Sequence, residues 1–164
     1  MHMNFVSLVA VPLIARVCRV IMFPFSGLDK IVHWKEALQQ ADSSFLPGGS
    51  VLLALAIVVE FVTPVCIVAG WHDRLAAFVL AGFCAVTALL YHPFWKYSHF
   101  WSKAGDGRSH FWDFLKNFGL VGGLLLVVIG GVPLSASAII TQSLSSAPYA
   151  ASATSASPSA SNTP

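Results

Sequence analysis

Four long apolar stretches constrain the fold of this 164-residue chain more than any other feature. They cover about residues 9–28, 51–71, 75–91 and 114–134, and each comes close to the roughly 20 apolar residues that a helix needs to cross a bilayer. In the whole chain 56% of the residues are hydrophobic and 10% are charged, whereas soluble domains carry about 25% charged residues. So much apolar surface cannot be buried in a soluble core of this size, and we expect lipid to solvate it.

Only helices and closed barrels satisfy their backbone amides inside a bilayer, and the stretches do not alternate between polar and apolar residues as barrel strands do. The sequence therefore predicts an all-α fold, an integral membrane bundle of four transmembrane helices within residues 1–134. A short interfacial helix is expected at the start of the first long loop. Residues 135–164 are mostly Ser, Ala, Thr and Pro, a composition that predicts a disordered tail.

Charge and cysteine usage exclude several classes of function. The net charge is +2 and the basic residues are scattered, whereas a protein that binds nucleic acid presents a clustered basic face. The three cysteines, Cys18, Cys66 and Cys84, lie in apolar runs without a C-x-x-C pair, which is typical of buried structural residues. The histidine spacings fit no standard zinc pattern, so no metal site is expected.

Lysine and arginine are more frequent in the two long loops, which places those loops in the cytoplasm.

Three ionisable residues interrupt the first two spans: Arg16, Arg19 and Glu60. A charge at bilayer depth costs about 2.5–3.5 kcal/mol on insertion scales, so such residues should be paired inside the bundle. If Leu28 and Val51 lie level at one membrane face, Arg19 and Glu60 are both about 14 Å from it. The sequence thus predicts one intramembrane cluster of the three residues. It serves either as a ligand or proton site or as a salt bridge that fixes helix register.

A second group of polar and aromatic residues gathers at the same face. The residues that could bind a ligand there are Lys30, His92, Trp95, His110, Lys116 and Asn117. One interpretation is an aromatic belt at the level of the lipid headgroups. The other is an interfacial pocket for a flat amphipathic ligand such as a quinone, with aromatic rings stacked on it and His or Lys bonded to its carbonyls.

Five segments follow one another in a distinctive order. They are Arg16 with Ser26-Gly27-Leu28-Asp29-Lys30, Glu60, the turn from Trp71 to Ala77, Tyr91-His92-Pro93-Phe94-Trp95, and His110 to Asn117 followed by Gly122-Gly123-Leu124-Leu125. Together they resemble the motifs of the DoxX family over roughly residues 12–133. The resemblance implies a four-helix protein of the bacterial inner (plasma) membrane. The family takes its name from membrane subunits associated with a terminal oxidase and with thiosulfate:quinone oxidation.

Two functional hypotheses follow from this resemblance and from the polar residues. The first is a membrane subunit of a quinone-linked redox or oxidative-stress system, which is not catalytic alone and takes a quinone as its cofactor. The alternative is a non-enzymatic scaffold that docks a soluble redox partner through its cytoplasmic loops. A small solute carrier is a third hypothesis, but the two halves of the sequence show no inverted repeat. The sequence is compatible with a homo-oligomer as well as with a monomer.

Overall fold

The computed structural model describes residues 9–43, 47–101 and 105–130, and within these ranges the chain is helical without strands. Four segments are long and apolar enough to span a membrane: Val11–Val32, Gly49–Ala69, Asp73–Lys96 and Asp106–Ile129. The predicted all-α bundle of four transmembrane helices is confirmed. The tail predicted over residues 135–164 lies outside the described residues.

The first span consists of two helices that meet at Ile21. The described elements in chain order are α1 (Val11–Val20), α2 (Met22–Val32), α3 (Trp34–Asp42), α4 (Gly49–Ala69), α5 (Asp73–Tyr91), a 3₁₀ turn (Phe94–Lys96) and α6 (Asp106–Ile129). The short helix expected in the first long loop is thus present as α3.

Glycines set both ends of α4. Gly48 precedes it with φ 85° and Gly70 follows it with φ 72°, a left-handed conformation that glycine adopts without steric cost. The backbone N–H of Trp71 then donates to the carbonyl of Cys66 at 3.0 Å, which satisfies one of the last helix carbonyls. This tight turn brings the start of α5 directly beside the end of α4.

Consecutive spans pack against one another, and α1 also touches α6, which closes the bundle. Helix α5 contributes more residues to the core than any other helix, and most of these are small, among them Ala77 (0% exposed) and Ala81 (3%). Small side chains let helix backbones approach closely where lipid provides no hydrophobic driving force. The outer faces carry exposed apolar side chains such as Val51 (70%) and Val65 (67%), which lipid would cover.

The last span begins earlier than hydropathy predicts. Helix α6 starts at Asp106, eight residues before the predicted start at residue 114. Its first two turns carry polar residues, which hydropathy assigns to a loop. They remain helical because Asp106 complements the positive end of the helix and because the aromatic residues that follow pack on the 3₁₀ turn. His110 to Asn117 therefore lies on a helix, so its members point in different directions.

The relative depth of the first two spans also differs from the expected one. Ser26 bonds Glu60, and a Cβ on Gly27 would lie 2.8 Å from the ring of Phe61. The expected alignment put Arg19 at the level of Glu60, so the helices are shifted by seven residues, about 10 Å. The reason is α3, which packs along α4 and occupies the depth between the end of α2 and the start of α4.

Candidate functional site: a lipid-facing cavity with an intramembrane ion pair

A closed triad of polar side chains joins the end of the first span to the middle of the second. Lys30 Nζ donates to both carboxylate oxygens of Glu60, at 2.8 and 3.0 Å. Lys30 Nζ also donates to Ser26 Oγ at 2.7 Å, and Ser26 Oγ donates to Glu60 Oε1 at 3.1 Å. Lys30 and Ser26 face the same way because they are four residues apart on α2. Each charge therefore has a partner, as a charge within a membrane span requires.

The exposure of the two charged side chains differs. The Glu60 side chain is 3% exposed, whereas that of Lys30 is 25% exposed. Glu60 lies 11 residues into α4, about 16 Å from its start. The accessible part of the pair is therefore the ammonium group, which a ligand beside it could approach.

A cavity of about 510 Å³ lies beside this triad. Its polar lining includes Lys30 and Glu60 together with His92 and Asn117, and most of its remaining wall is apolar. It therefore unites Glu60 of the predicted intramembrane cluster with three residues of the predicted ligand face. Its volume falls within the roughly 300–1,000 Å³ typical of small-molecule sites.

The cavity opens sideways. Three apolar side chains of its wall are at least half exposed on the outer surface: Met22 (50%), Leu55 (59%) and Val86 (52%). They belong to α2, α4 and α5, so this part of the cavity wall reaches a surface that lipid would cover. A hydrophobic molecule could enter from the bilayer without crossing an aqueous phase.

His92 connects the cavity with the aromatic segment at its end. Its Nδ1 lies 3.3 Å from Nδ1 of His110 on α6. The ring of His110 is stacked on Tyr97, with centroids 5.2 Å apart. Gly107 makes this packing possible, because a Cβ there would lie 2.7 Å from Cβ of Tyr97. The segment after α5 is thereby held against the first turn of α6.

Two residues of the predicted ligand face lie elsewhere. Lys116 is not among the residues that line the cavity; its side chain is 71% exposed and donates to Asp113 at 3.0 Å. Trp95 is also absent from the lining and packs its ring 5.8 Å from that of Phe114. The predicted face is thus divided. Lys30, His92 and Asn117 line the cavity, His110 lies behind His92, and the other two residues belong to the surface.

Arg16 belongs to a second ion pair near the opposite end of the bundle. Its Nη1 donates to Asp73 at 2.8 Å and to the carbonyl of Ile67 at 2.7 Å. The side chain of Asp73 is 0% exposed and that of Arg16 is 11% exposed. One guanidinium therefore links the end of α4 to the start of α5 across the turn.

The predicted cluster of Arg16, Arg19 and Glu60 is corrected by these pairings. Arg16 binds Asp73, and Glu60 binds Lys30. Arg19 lies against α6, with Nε 3.8 Å from the position of a Cβ on Gly123. The cause is the shift between the first two spans, which moves Glu60 from the level of Arg19 to that of Ser26.

Sequence reasoning missed two members of these sites. Asp73 was assigned to the turn, although a carboxylate in the first turn of a helix is favourably placed to accept a buried arginine. Ser26 was noted only as part of a motif. Its spacing of four residues from Lys30 was the available signal, since such pairs share a helix face.

Comparisons with known proteins agree with this architecture. The DoxX family model matches residues 11–93. Two inner membrane proteins of Escherichia coli K12 are similar: YqjF is 32% identical over 73% of this chain and 82% of its own length, and YphA is 28% identical over 73% and 81%. No solved structure matches the chain. With its four spans, this chain is therefore a multi-pass inner membrane protein that belongs to the DoxX family.

Proposed function

We propose that this protein is the quinone-binding membrane subunit of a redox system, and that the cavity beside Lys30 and Glu60 holds the quinone head group. One observation carries the proposal. The lipid-open cavity is mainly apolar, yet hydrogen-bond donors from three spans reach it: Lys30, His92 and Asn117. A quinone has matching chemistry, because it is a flat apolar ring with carbonyl acceptors on opposite sides and it is dissolved in lipid.

The charges favour a neutral acceptor over a charged ligand. Lys30 is already neutralised by Glu60, so an anionic ligand would have to compete with a buried carboxylate. A quinone carbonyl needs only one hydrogen. The three N–H groups of Lys30 serve Ser26 and both oxygens of Glu60, so the lysine would give up its bond to Ser26 to bind the carbonyl and would keep its bonds to the carboxylate. A partner redox protein would transfer electrons to or from the quinone. This chain therefore binds the quinone and supplies or accepts protons, but it is not catalytic on its own.

The first experiment measures quinone binding directly. The protein is purified in mild detergent, its lipid extract is assayed for quinone, and ubiquinone-1 is titrated while tryptophan fluorescence is followed. We expect His92→Ala to weaken binding about 5- to 150-fold, since a lost hydrogen bond to a buried ligand group costs about 1–3 kcal/mol. The second variant is Lys30→Met with Glu60→Gln, which removes the donor without leaving a buried carboxylate unpaired.

The matched control is Lys35→Ala, which removes an exposed lysine of α3 that does not line the cavity. It should bind ubiquinone-1 like the wild type. Unchanged affinity in both cavity variants would exclude the proposed site, and an empty lipid extract together with no titration signal would exclude quinone as the ligand.

A scaffold that docks a soluble redox partner is the second candidate. The observation that favours it is the exposure of Trp95 (52%) and Trp101 (64%) after α5. Co-purification of a partner that is lost with Trp95→Ser and Trp101→Ser would support docking. Trp71→Ser is the control, because Trp71 is 65% exposed in the turn between α4 and α5. Equal loss in all three variants would count against a specific docking surface.

A further inference from the structure

We infer that His92 and His110 form the proton inlet of the cavity, a path by which a proton from the long-loop face reaches a reduced ligand. The inference rests on the proposed function, because it assigns the protons that a quinone takes up. It concerns a different property from binding, namely which groups move the proton.

The hydrogen-bonding of the cavity wall singles out His92. The titratable side chains that line the cavity in the described part of the chain are Lys30, Glu60, Cys84, Tyr91 and His92. Lys30 and Glu60 bond each other and Ser26, all within the wall. His92 instead bonds a titratable group outside the wall, His110 at 3.3 Å. It therefore offers a continuous route out of the cavity.

The two nitrogens in contact constrain the protonation of the pair. Both are Nδ1, so one ring must carry a proton on Nδ1 while the other accepts with its lone pair. The contact leaves Nε2 of His92 as the ring nitrogen that can serve a ligand in the cavity. It leaves Nε2 of His110 as the nitrogen that can exchange a proton on the other side.

The outer end of the pair lies near water-accessible groups. His110 stacks on Tyr97, which is 38% exposed. On α6, one to two turns beyond His110, Asp113 and Lys116 pair with each other, with side chains 41% and 71% exposed. These charged groups on the α6 side are at the surface, so a proton can reach His110 from that side. On the cavity side, the charged groups are Lys30 and Glu60, which neutralise each other.

Each transfer step conserves protons and electrons. A quinone that receives two electrons from the partner redox protein takes up two protons to become a quinol. For the first proton, Nε2 of His92 releases a proton to the ligand oxygen while Nδ1 of His92 receives the Nδ1 proton of His110, and Nε2 of His110 then takes a proton from water. One proton enters and one leaves, so the charge of the pair is unchanged, but both rings are left in the opposite tautomer. Before the second proton is delivered, both rings return to their starting tautomers by proton exchange with water, which changes neither the number of protons nor the charge of the pair.

The test separates proton transfer from binding. His110→Gln keeps a polar side chain of similar length but cannot pass a proton through a ring. Purified protein loaded with ubiquinone-1 is mixed with dithionite as the electron donor, and loss of the quinone absorbance is followed by stopped flow. We expect quinol formation to slow at least about tenfold, since a positioned proton donor typically contributes 10²–10⁴-fold. Ubiquinone-1 affinity should stay at the wild-type value, because His92 remains.

Chemical rescue distinguishes a proton carrier from a structural residue. Added imidazole should restore the rate in His110→Gln, whereas it cannot repair a packing defect. The control is His33→Gln, which removes a histidine that bonds Asp29 and is 54% exposed; its rate should equal that of the wild type.

The outcomes are separable. A normal rate in His110→Gln with ubiquinone-1 bound would overturn the inlet and leave the binding proposal intact, and so would a slow rate that imidazole does not restore. If the wild type binds no ubiquinone-1, both proposals fall. Nitrogen-15 spectra of histidine-labelled protein provide a readout independent of any ligand, because the pair requires one ring protonated on Nδ1. Two rings with bare Nδ1 would contradict it.

Discussion

Removal of the Arg16 guanidinium should destabilise the protein more than removal of any exposed charge. Arg16 bonds Asp73 at 2.8 Å, and the Asp73 side chain is 0% exposed. Loss of one member of a buried pair typically costs about 3–5 kcal/mol, because the other charge remains buried. The positive end of α5 stabilises Asp73 by up to about 1 kcal/mol. Arg16→Ala should therefore lower the free energy of unfolding by about 2–4 kcal/mol.

The assay is equilibrium unfolding in mixed micelles of dodecyl maltoside and sodium dodecyl sulfate, followed by circular dichroism. Arg19→Ala is the matched control one turn away, since among the described residues Arg19 has no hydrogen bond or ion pair; its cost should stay below about 1 kcal/mol. In a double-mutant cycle, Arg16→Ala with Asp73→Ala should cost less than the sum of the single changes, by about 1–3 kcal/mol. Equal costs for the two arginines, or strict additivity, would refute the reasoning.

Two glycines give further predictions, for which Gly82→Ala serves as the control because a Cβ there has no neighbour within 4 Å. Gly27→Ala should destabilise by about 1–3 kcal/mol in the same unfolding assay, since its Cβ would lie 2.8 Å from the ring of Phe61; a neutral result would contradict the close packing of α2 on α4. Gly107→Ala should separate the segment after α5 from α6, because its Cβ would lie 2.7 Å from Cβ of Tyr97. Its histidine nitrogen-15 spectrum should lose the signal of the Nδ1 hydrogen bond, and an unchanged spectrum would count against this packing.

The number and identity of the spans could be predicted because hydropathy depends only on composition along the chain. The pairing of charges could not, because it depends on the relative depth of two helices. The sequence does not reveal that α3 packs beside α4. Without that information, the end of the first span and the start of the second are expected at the same depth in the membrane. An offset of seven residues was enough to replace Arg19 by Lys30 and Ser26 as neighbours of Glu60.

The directions of the candidate site residues could not be predicted either. Lys30, His92 and Asn117 of the predicted ligand face line the cavity, whereas Lys116 and Trp95 do not. Lys116 and Asn117 enter the predicted ligand face together as part of the segment from His110 to Asn117, but adjacent residues on a helix point about 100° apart. Hydropathy placed the helix start at residue 114 instead of Asp106, so the directions of His110 and its neighbours could not be assigned beforehand.

The sideways opening of the cavity has a consequence for how tightly it needs to hold its occupant. A molecule confined to the membrane is concentrated in a thin layer, so its supply is set by its mole fraction among the phospholipids. Acyl chains are present there in large excess and would compete for the same cavity, whose wall includes the exposed apolar side chains of Met22 and Leu55. Discrimination must then come from the few polar groups inside, and for the proposed quinone ligand, occupancy should follow the quinone-to-lipid ratio rather than the amount of protein.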